Sequence, residues 1–192
     1  MEGAGQRLPR LSRRHLQTRA EDPVPVVATK LGWTPAHVIT NSVSATDTFL
    51  TIATKSGSTI TNGTLTVNYL LDPSNPIYNK QPGMKLYRQI MAKFDPKGNA
   101  NDGLNLYGVA KAWTTVQVLQ AAGKNLTRAG LMKAARSMTY TNALKKANPF
   151  VLPGVDIHTK GGYQYPISQV TLVQYTNNVF QPLGKLINGR GA

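Results

Sequence analysis

The chain contains no cysteine, which excludes disulfide scaffolds, thiol nucleophiles, cysteine zinc sites and thiolate-bound iron–sulfur clusters together. The redox compartment stays open, because a cysteine-free protein suits either. Glutamate is almost as scarce: only Glu2 and Glu21 occur, both near the amino terminus. Paired-carboxylate chemistry would therefore fall to Asp47, Asp72, Asp95, Asp102 or Asp156. Asp72 and Asp95 each precede a proline and read as turn initiators, and Asp102 reads as a helix cap. Asp156 and His158 stand two apart in a strand-like stretch and would share a face, as a surface pair or as a general-base pair. His15, His37 and His158 have no histidine four residues on, so no helical metal motif exists. There is also no nucleophile elbow and no glycine-rich phosphate loop. No run approaches the roughly 18–20 apolar residues of a membrane span. After Arg14 the chain continues His15-Leu16-Gln17-Thr18-Arg19, which is not the apolar core of a secretory signal. The inventory favours a binding protein over an enzyme, with no catalytic residue, metal ligand or cofactor assigned.

What the chain does have is positive charge and enough apolar material to fold. Its 192 residues hold 22 Lys and Arg against 8 Asp and Glu, a formal net charge of +14, with 41% hydrophobic residues, 17 glycines and 12 prolines. That balance opens one reading, a small basic nucleic-acid-binding protein. The distribution weakens it. Residues 80–146 hold twelve basic residues against Asp95 and Asp102, but they are interleaved with apolar positions and read as a solvated helix surface. Residues 1–22, polar and arginine-rich, read as an unstructured basic leader, and residues 188–192 as a tail.

Between these ends the pattern is α/β. Lys30-Leu31-Gly32-Trp33-Thr34-Pro35 reads as a helix end and turn, His37–Thr40 as a short buried strand, and 46–54 as a weak helix. Asn62-Gly63 introduces a strand over Thr64–Leu70. Three helices follow. The first opens at Pro82 with Met84, Tyr87, Ile90, Met91 and Phe94 on one face. The second is capped by Asp102 and stopped by Gly123, with Leu106, Val109, Ala110, Trp113, Val116 and Leu119 on one side. The third is capped by Thr127 above Leu131, Ala134, Ala135 and Met138. These helices are expected to pack on a sheet. Short strands are expected at Val155–His158, Val170–Tyr175 and Val179–Ile187, the last two joined as a hairpin across Thr176-Asn177-Asn178.

The order of several segments carries a resemblance. Leu31-Gly32-Trp33-Thr34-Pro35, Asn41-Ser42-Val43-Ser44-Ala45, Asn62-Gly63-Thr64, Tyr69-Leu70-Leu71-Asp72-Pro73 and Pro82-Gly83-Met84-Lys85 resemble consecutive segments of the substrate-binding proteins of branched-chain amino-acid ABC transporters, the leucine/isoleucine/valine-binding family. Tyr107-Gly108-Val109-Ala110, the stretch Ala121–Arg128, Leu152-Pro153-Gly154-Val155 and Phe180-Gln181-Pro182-Leu183-Gly184 continue the match in order.

The resemblance implies a periplasmic-binding-protein-like fold of type I, an α/β fold of two lobes closing on a small ligand. Only its carboxy-terminal part is matched. Residues 23–187 would form a partial domain, with second-lobe segments at 24–60 and 151–187 and a first-lobe segment at 64–150. The implied function is the substrate-binding component, truncated, of an ABC transporter for branched-chain or related amino acids. Its partners would be a small amino-acid-like ligand and a membrane permease, with no nucleic acid expected. A ligand-sensing receptor domain of the same fold is an alternative. The family implies a periplasmic location, and the missing signal peptide leaves a cytoplasmic one open. Candidate ligand contacts are Ser42 and Ser44, in the loop after the first strand. Ser58 and Thr59 are also candidates, near the place where the family often has an acidic residue for the ligand's ammonium group.

Overall fold

A computed structural model describes residues 24–141, 147–161 and 165–189; the leader expected at 1–22 and the end of the tail lie outside them. The first helix, α1 (Val24–Lys30), stops where Gly32 takes a φ of 65°, a left-handed conformation that glycine adopts without steric cost. The second, α2 (Asp47–Lys55), starts at Thr46, whose Oγ1 accepts the Phe49 amide at 3.3 Å. Between them the buried strand expected at His37–Thr40 is reduced to one parallel bridge, Ile39 to Leu65, and Ile39 is 76% exposed. Among the described residues the segment pairs on one side only, which leaves the Ile39 side chain exposed.

Strand β1 (Leu65–Asn68) lies antiparallel to β4 (Gln169–Thr176), which pairs in turn with β5 (Val179–Pro182) and β6 (Ile187–Asn188). Along β4 every second residue from Gln169 to Tyr175 is buried, the period of a strand with one face on a core. The expected hairpin is present. Asn177 and Asn178 take φ of 53° and 65°, the paired positive values of a type I′ turn, whose twist matches the strands it joins. Beneath this sheet Ala45, Leu50, Val173, Tyr175 and Phe180 form one hydrophobic cluster, with the Tyr175 and Phe180 rings 5.1 Å apart.

The larger cluster belongs to α3 (Pro82–Phe94) and α4 (Gly103–Ala122). Both helices have the expected limits, and Asp102 Oδ1 accepts the Leu104 amide at 2.8 Å as the cap of α4. Met84, Tyr87 and Met91 of α3 pack with Leu106 and Ala110 of α4 on Leu71, Phe150, Leu152 and Val155. Two expectations fail here. The support is not a broad sheet but two extended segments joined by a single antiparallel bridge, Leu70 to Val151. The apolar stripes are also narrower than expected: Phe94 is 73% exposed, and Val116 and Leu119 are 51% and 41% exposed. With only two short segments beneath them, the helices bury one turn-to-turn row each. A third helix, α5 (Arg128–Ala135), is capped by Thr127, which accepts the Gly130 amide at 3.1 Å. The last two strands, β2 (Thr139–Tyr140) and β3 (Ile157–His158), pair with each other. The strand expected over Val155–His158 is thus its second half only.

Gly83 sets how closely α3 approaches the 149–152 segment, because a β-carbon there would overlap the Pro149 carbonyl. Gly83→Ala should lower stability by about 1–3 kcal/mol in urea unfolding, the usual cost of overpacking. Tyr87 is fully buried with its hydroxyl unpaired, and burial pushes its pKa up to about 12. Tyr87→Phe removes that unpaired group and should raise stability by about 1 kcal/mol in the same measurement.

Candidate functional site

One stretch of chain changes its pairing partner along its length. From Leu65 to Asn68 it pairs with β4. From Tyr69 it turns to the other partner, with Leu152 N donating to Tyr69 O at 2.8 Å and Leu71 N to Phe150 O at 2.9 Å. Where the partner changes, a cavity of about 150 Å³ opens. One wall is the Ser42–Thr46 loop that leads into α2, the other is Leu104 and Tyr107 at the start of α4, and Asn68 to Pro73 form its floor. A second, more apolar groove of about 340 Å³ shares Tyr69, Leu70 and Tyr107 with it and continues along α4.

The polar groups around the cavity differ in how far they are already engaged. Asn41 Oδ1 accepts the amides of Val43 and Ser44 at 3.0 and 2.9 Å, which shapes the loop, and Asn41 Nδ2 donates to the Ser44 hydroxyl at 3.2 Å. The Ser42 hydroxyl makes no hydrogen bond among the described residues. Burial, then the nearby Tyr107 phenol, raise the Tyr69 pKa. Lys111 Nζ sits 5.0 Å above the Tyr107 ring. Asp72 Oδ1 accepts from the Ser74 amide and hydroxyl at 2.9 and 2.7 Å, the turn-initiating role read from the sequence. Its Oδ2 is buried without a partner, and burial outweighs those hydrogen bonds and raises its pKa.

The chain aligns with a branched-chain amino-acid ABC transporter protein from Thermus thermophilus with bound valine, at 15% identity and a TM-score of 0.67 over 87% of this chain and 43% of that one. An ABC transporter substrate-binding protein from Aeropyrum pernix matches at 13% identity and a TM-score of 0.64, covering 87% and 41%. A leucine-binding protein from Thermotoga maritima matches at 16% and 0.55, covering 86% and 41%. The fold is part of the type I periplasmic-binding-protein-like fold. The chain spans less than half the length of these neighbours. No protein-family model matches the sequence, and no curated protein sequence does.

Within this periplasmic-binding-protein fold the four hydroxyl residues named from the sequence are not brought together. Ser42 lines the cavity and Ser44 a separate groove beside α2. Ser58 and Thr59 fasten α1 to the end of α2: Ser58 Oγ donates to Pro25 O at 3.1 Å, and the Thr59 amide donates to Thr29 Oγ1 at 3.1 Å. Asp156 and His158 do not line the cavity. Sequence reasoning missed Tyr69, Tyr107 and Thr46 as cavity-lining residues. The signal for the first two is weak: each tyrosine stands at the head of a segment of the resemblance, Tyr69-Leu70-Leu71 and Tyr107-Gly108-Val109.

Asp72 gives a pH test of this geometry. Its pKa is raised in the folded state, so the folded chain holds the proton more tightly and stability falls as pH rises from the unfolded carboxylate value, about 3.9, through the folded one. Asp72→Asn keeps an oxygen for Ser74 and has no charge to bury. It should raise the unfolding midpoint at pH 7 relative to the parent, and that advantage should shrink as the pH approaches 4.

Proposed function

We propose that the chain is the carboxy-terminal part of the substrate-binding component of an ABC transporter for branched-chain or related amino acids. The observation that carries this reading is the cavity itself. It lies where the Leu65–Asp72 stretch passes from pairing with β4 to pairing with the 150–152 segment, in a fold whose similar structures include one with bound valine. Its lining combines Leu70, Leu71, Leu104 and Phe180 with the Ser42 hydroxyl and two phenols. That mixture suits a small ligand with an apolar side chain and a few polar groups.

On this reading residues 24–60 and 151–187 are second-lobe segments and 64–150 a first-lobe segment, with the chain crossing between lobes at 65–68, which pairs with β4, and at 151–158, which packs with α3 and α4 and pairs with β2. Ser42 contacts the ligand directly. Ser44 positions it through Asn41, and Ser58 and Thr59 hold α1 in place behind the loop. A transporter permease and a periplasmic location complete the proposal, and the protein binds rather than transforms its ligand. Affinity in a closing clamp comes from desolvating the ligand between two complete walls, so a chain with part of each wall binds weakly.

Thermal unfolding with L-valine, L-leucine or L-isoleucine in large excess tests this. A ligand present at ten to thirty times a weak Kd stabilises by about 1–2 kcal/mol, a rise of roughly 3–6 °C for a chain of this size. Ser42→Ala should lower that rise by more than half, and Ser58→Ala should leave it in place. Absence of a shift with all three amino acids would contradict the reading.

A further inference from the structure

The cavity beside the Leu65–Asp72 stretch carries a charge opposite to that of the chain. Among the described residues Asp72 is the only charged one in its lining, in a protein of net charge +14. The residue is 9% exposed. Its Oδ1 already accepts from the amide and hydroxyl of Ser74 at 2.9 and 2.7 Å, while Oδ2 is buried and has no hydrogen-bond partner. Among the described residues no cation pairs with it. Arg88 reaches the same turn, but its guanidinium donates to Pro73 O at 2.9 Å and to Asn101 Oδ1 at 3.2 Å. Lys111, in the adjoining groove, holds its Nζ 5.0 Å above the Tyr107 ring. Burial outweighs the Ser74 bonds and raises the Asp72 pKa, the sign of a carboxylate that lacks a counter-charge.

A buried carboxylate with an idle oxygen is costly until something pairs with it, and a cation seated in the cavity would remove that cost. An anion meets no such group, because no basic side chain lines the cavity among the described residues. The rings of Tyr69, Tyr107 and Phe180 stand in the same lining, and aromatic faces attract cations. Size adds a second constraint. A volume of about 150 Å³ takes an apolar body of about six heavy atoms, fewer than a branched-chain amino acid has. Whatever enters a space this small lies within a few ångströms of its floor, where a charge is poorly screened.

We propose that the cavity is a site for a primary ammonium group on a short branched apolar chain, with Asp72 as its counter-ion, so that the ammonium and not the carboxylate decides what binds. The assignment rests on the cavity being the ligand site. The positions near Ser58 and Thr59, where the resemblance calls for an acid, hold hydroxyls that fasten α1, and Asp72 supplies the charge from the shared stretch instead. The apolar chain lies against Leu70, Leu71 and Leu104. A carboxylate, where the ligand has one, stays at the mouth and is dispensable. The ligand class is thereby wider than amino acids and includes simple branched alkylamines.

Amide-resolved NMR titrations near neutral pH test this with three ligands that share one side chain: L-leucine, isoamylamine, which lacks the carboxylate, and isocaproate, which lacks the ammonium. The Ser42 and Tyr107 resonances should shift with L-leucine and with isoamylamine, and the parent should bind isoamylamine roughly tenfold or more tighter than isocaproate. Asp72→Asn should weaken isoamylamine by a similar factor and leave isocaproate unchanged or tighter, and its unfolding midpoint shows that it folds. Isocaproate bound by the parent as tightly as isoamylamine overturns the assignment and leaves a leucine-binding cavity standing. So does a folded variant that holds isoamylamine as tightly as the parent. Isoamylamine bound without L-leucine supports the assignment and removes the amino-acid reading. Parent resonances that stay still with all three ligands overturn both.

Discussion

The fold depends on a change of partner within one extended stretch. Residues 65–68 hydrogen-bond to β4, and residues 69–71 to the 150–152 segment. Leu71 in its second half sits in the larger hydrophobic cluster, where α3 and α4 pack on it and on Phe150, while its first half pairs with the strand that carries Val173 and Tyr175 of the smaller cluster. The cavity is a consequence. At the residue where a strand leaves one partner for the next, backbone and side chains diverge and cannot close-pack.

Buried polar groups fasten the joint. Asn75 is 1% exposed, and its Nδ2 donates to Phe180 O at 2.6 Å, tying the turn after the shared stretch to the hairpin of the other cluster. Asn148 does the same within the larger cluster. Its Nδ2 donates to Ala110 O and Thr114 Oγ1 at 2.9 and 3.0 Å, while its Oδ1 accepts the Phe150 amide at 3.0 Å. Thr159 Oγ1 accepts the Met138 amide at 3.0 Å and donates to Ala135 O at 2.5 Å. These bonds give the buried amides and hydroxyl of Asn75, Asn148 and Thr159 partners, and a buried polar group without one would cost about 1–3 kcal/mol.

Local chemistry was legible in the sequence and long-range placement was not. Pro82, Asp102, Gly123 and Thr127 mark helix ends because capping and φ preferences act over three or four residues. Asn177-Asn178 marks its turn for the same reason. The resemblance, built from ordered short segments, supplied the fold class that periodicity alone left at α/β. The cavity could not be read this way. Tyr69 and Tyr107 stand 38 positions apart and meet only because α4 crosses the end of the shared stretch. The exposed edge at Ile39 was misread as buried because a β-branched run signals strand without saying how many neighbours the strand has. Asp72 was read correctly as a turn residue, and its burial beside the cavity was invisible at that range.

The positive charge, the first feature that suggested a function, falls mainly on residues 80–146 and away from the cavity wall formed by Ser42–Thr46. Among the described residues these charges lie on and between α3, α4 and α5. The central claim is that a small apolar amino acid binds between the two clusters. Backbone amide NMR during titration with L-leucine tests it most directly. Binding there should move the resonances of Ser42 and Thr46 on one wall together with Tyr69 and Tyr107 on the other, all along a single saturating curve. Resonances that stay still, or that move only around Ser58 and Thr59 behind α2, would contradict it.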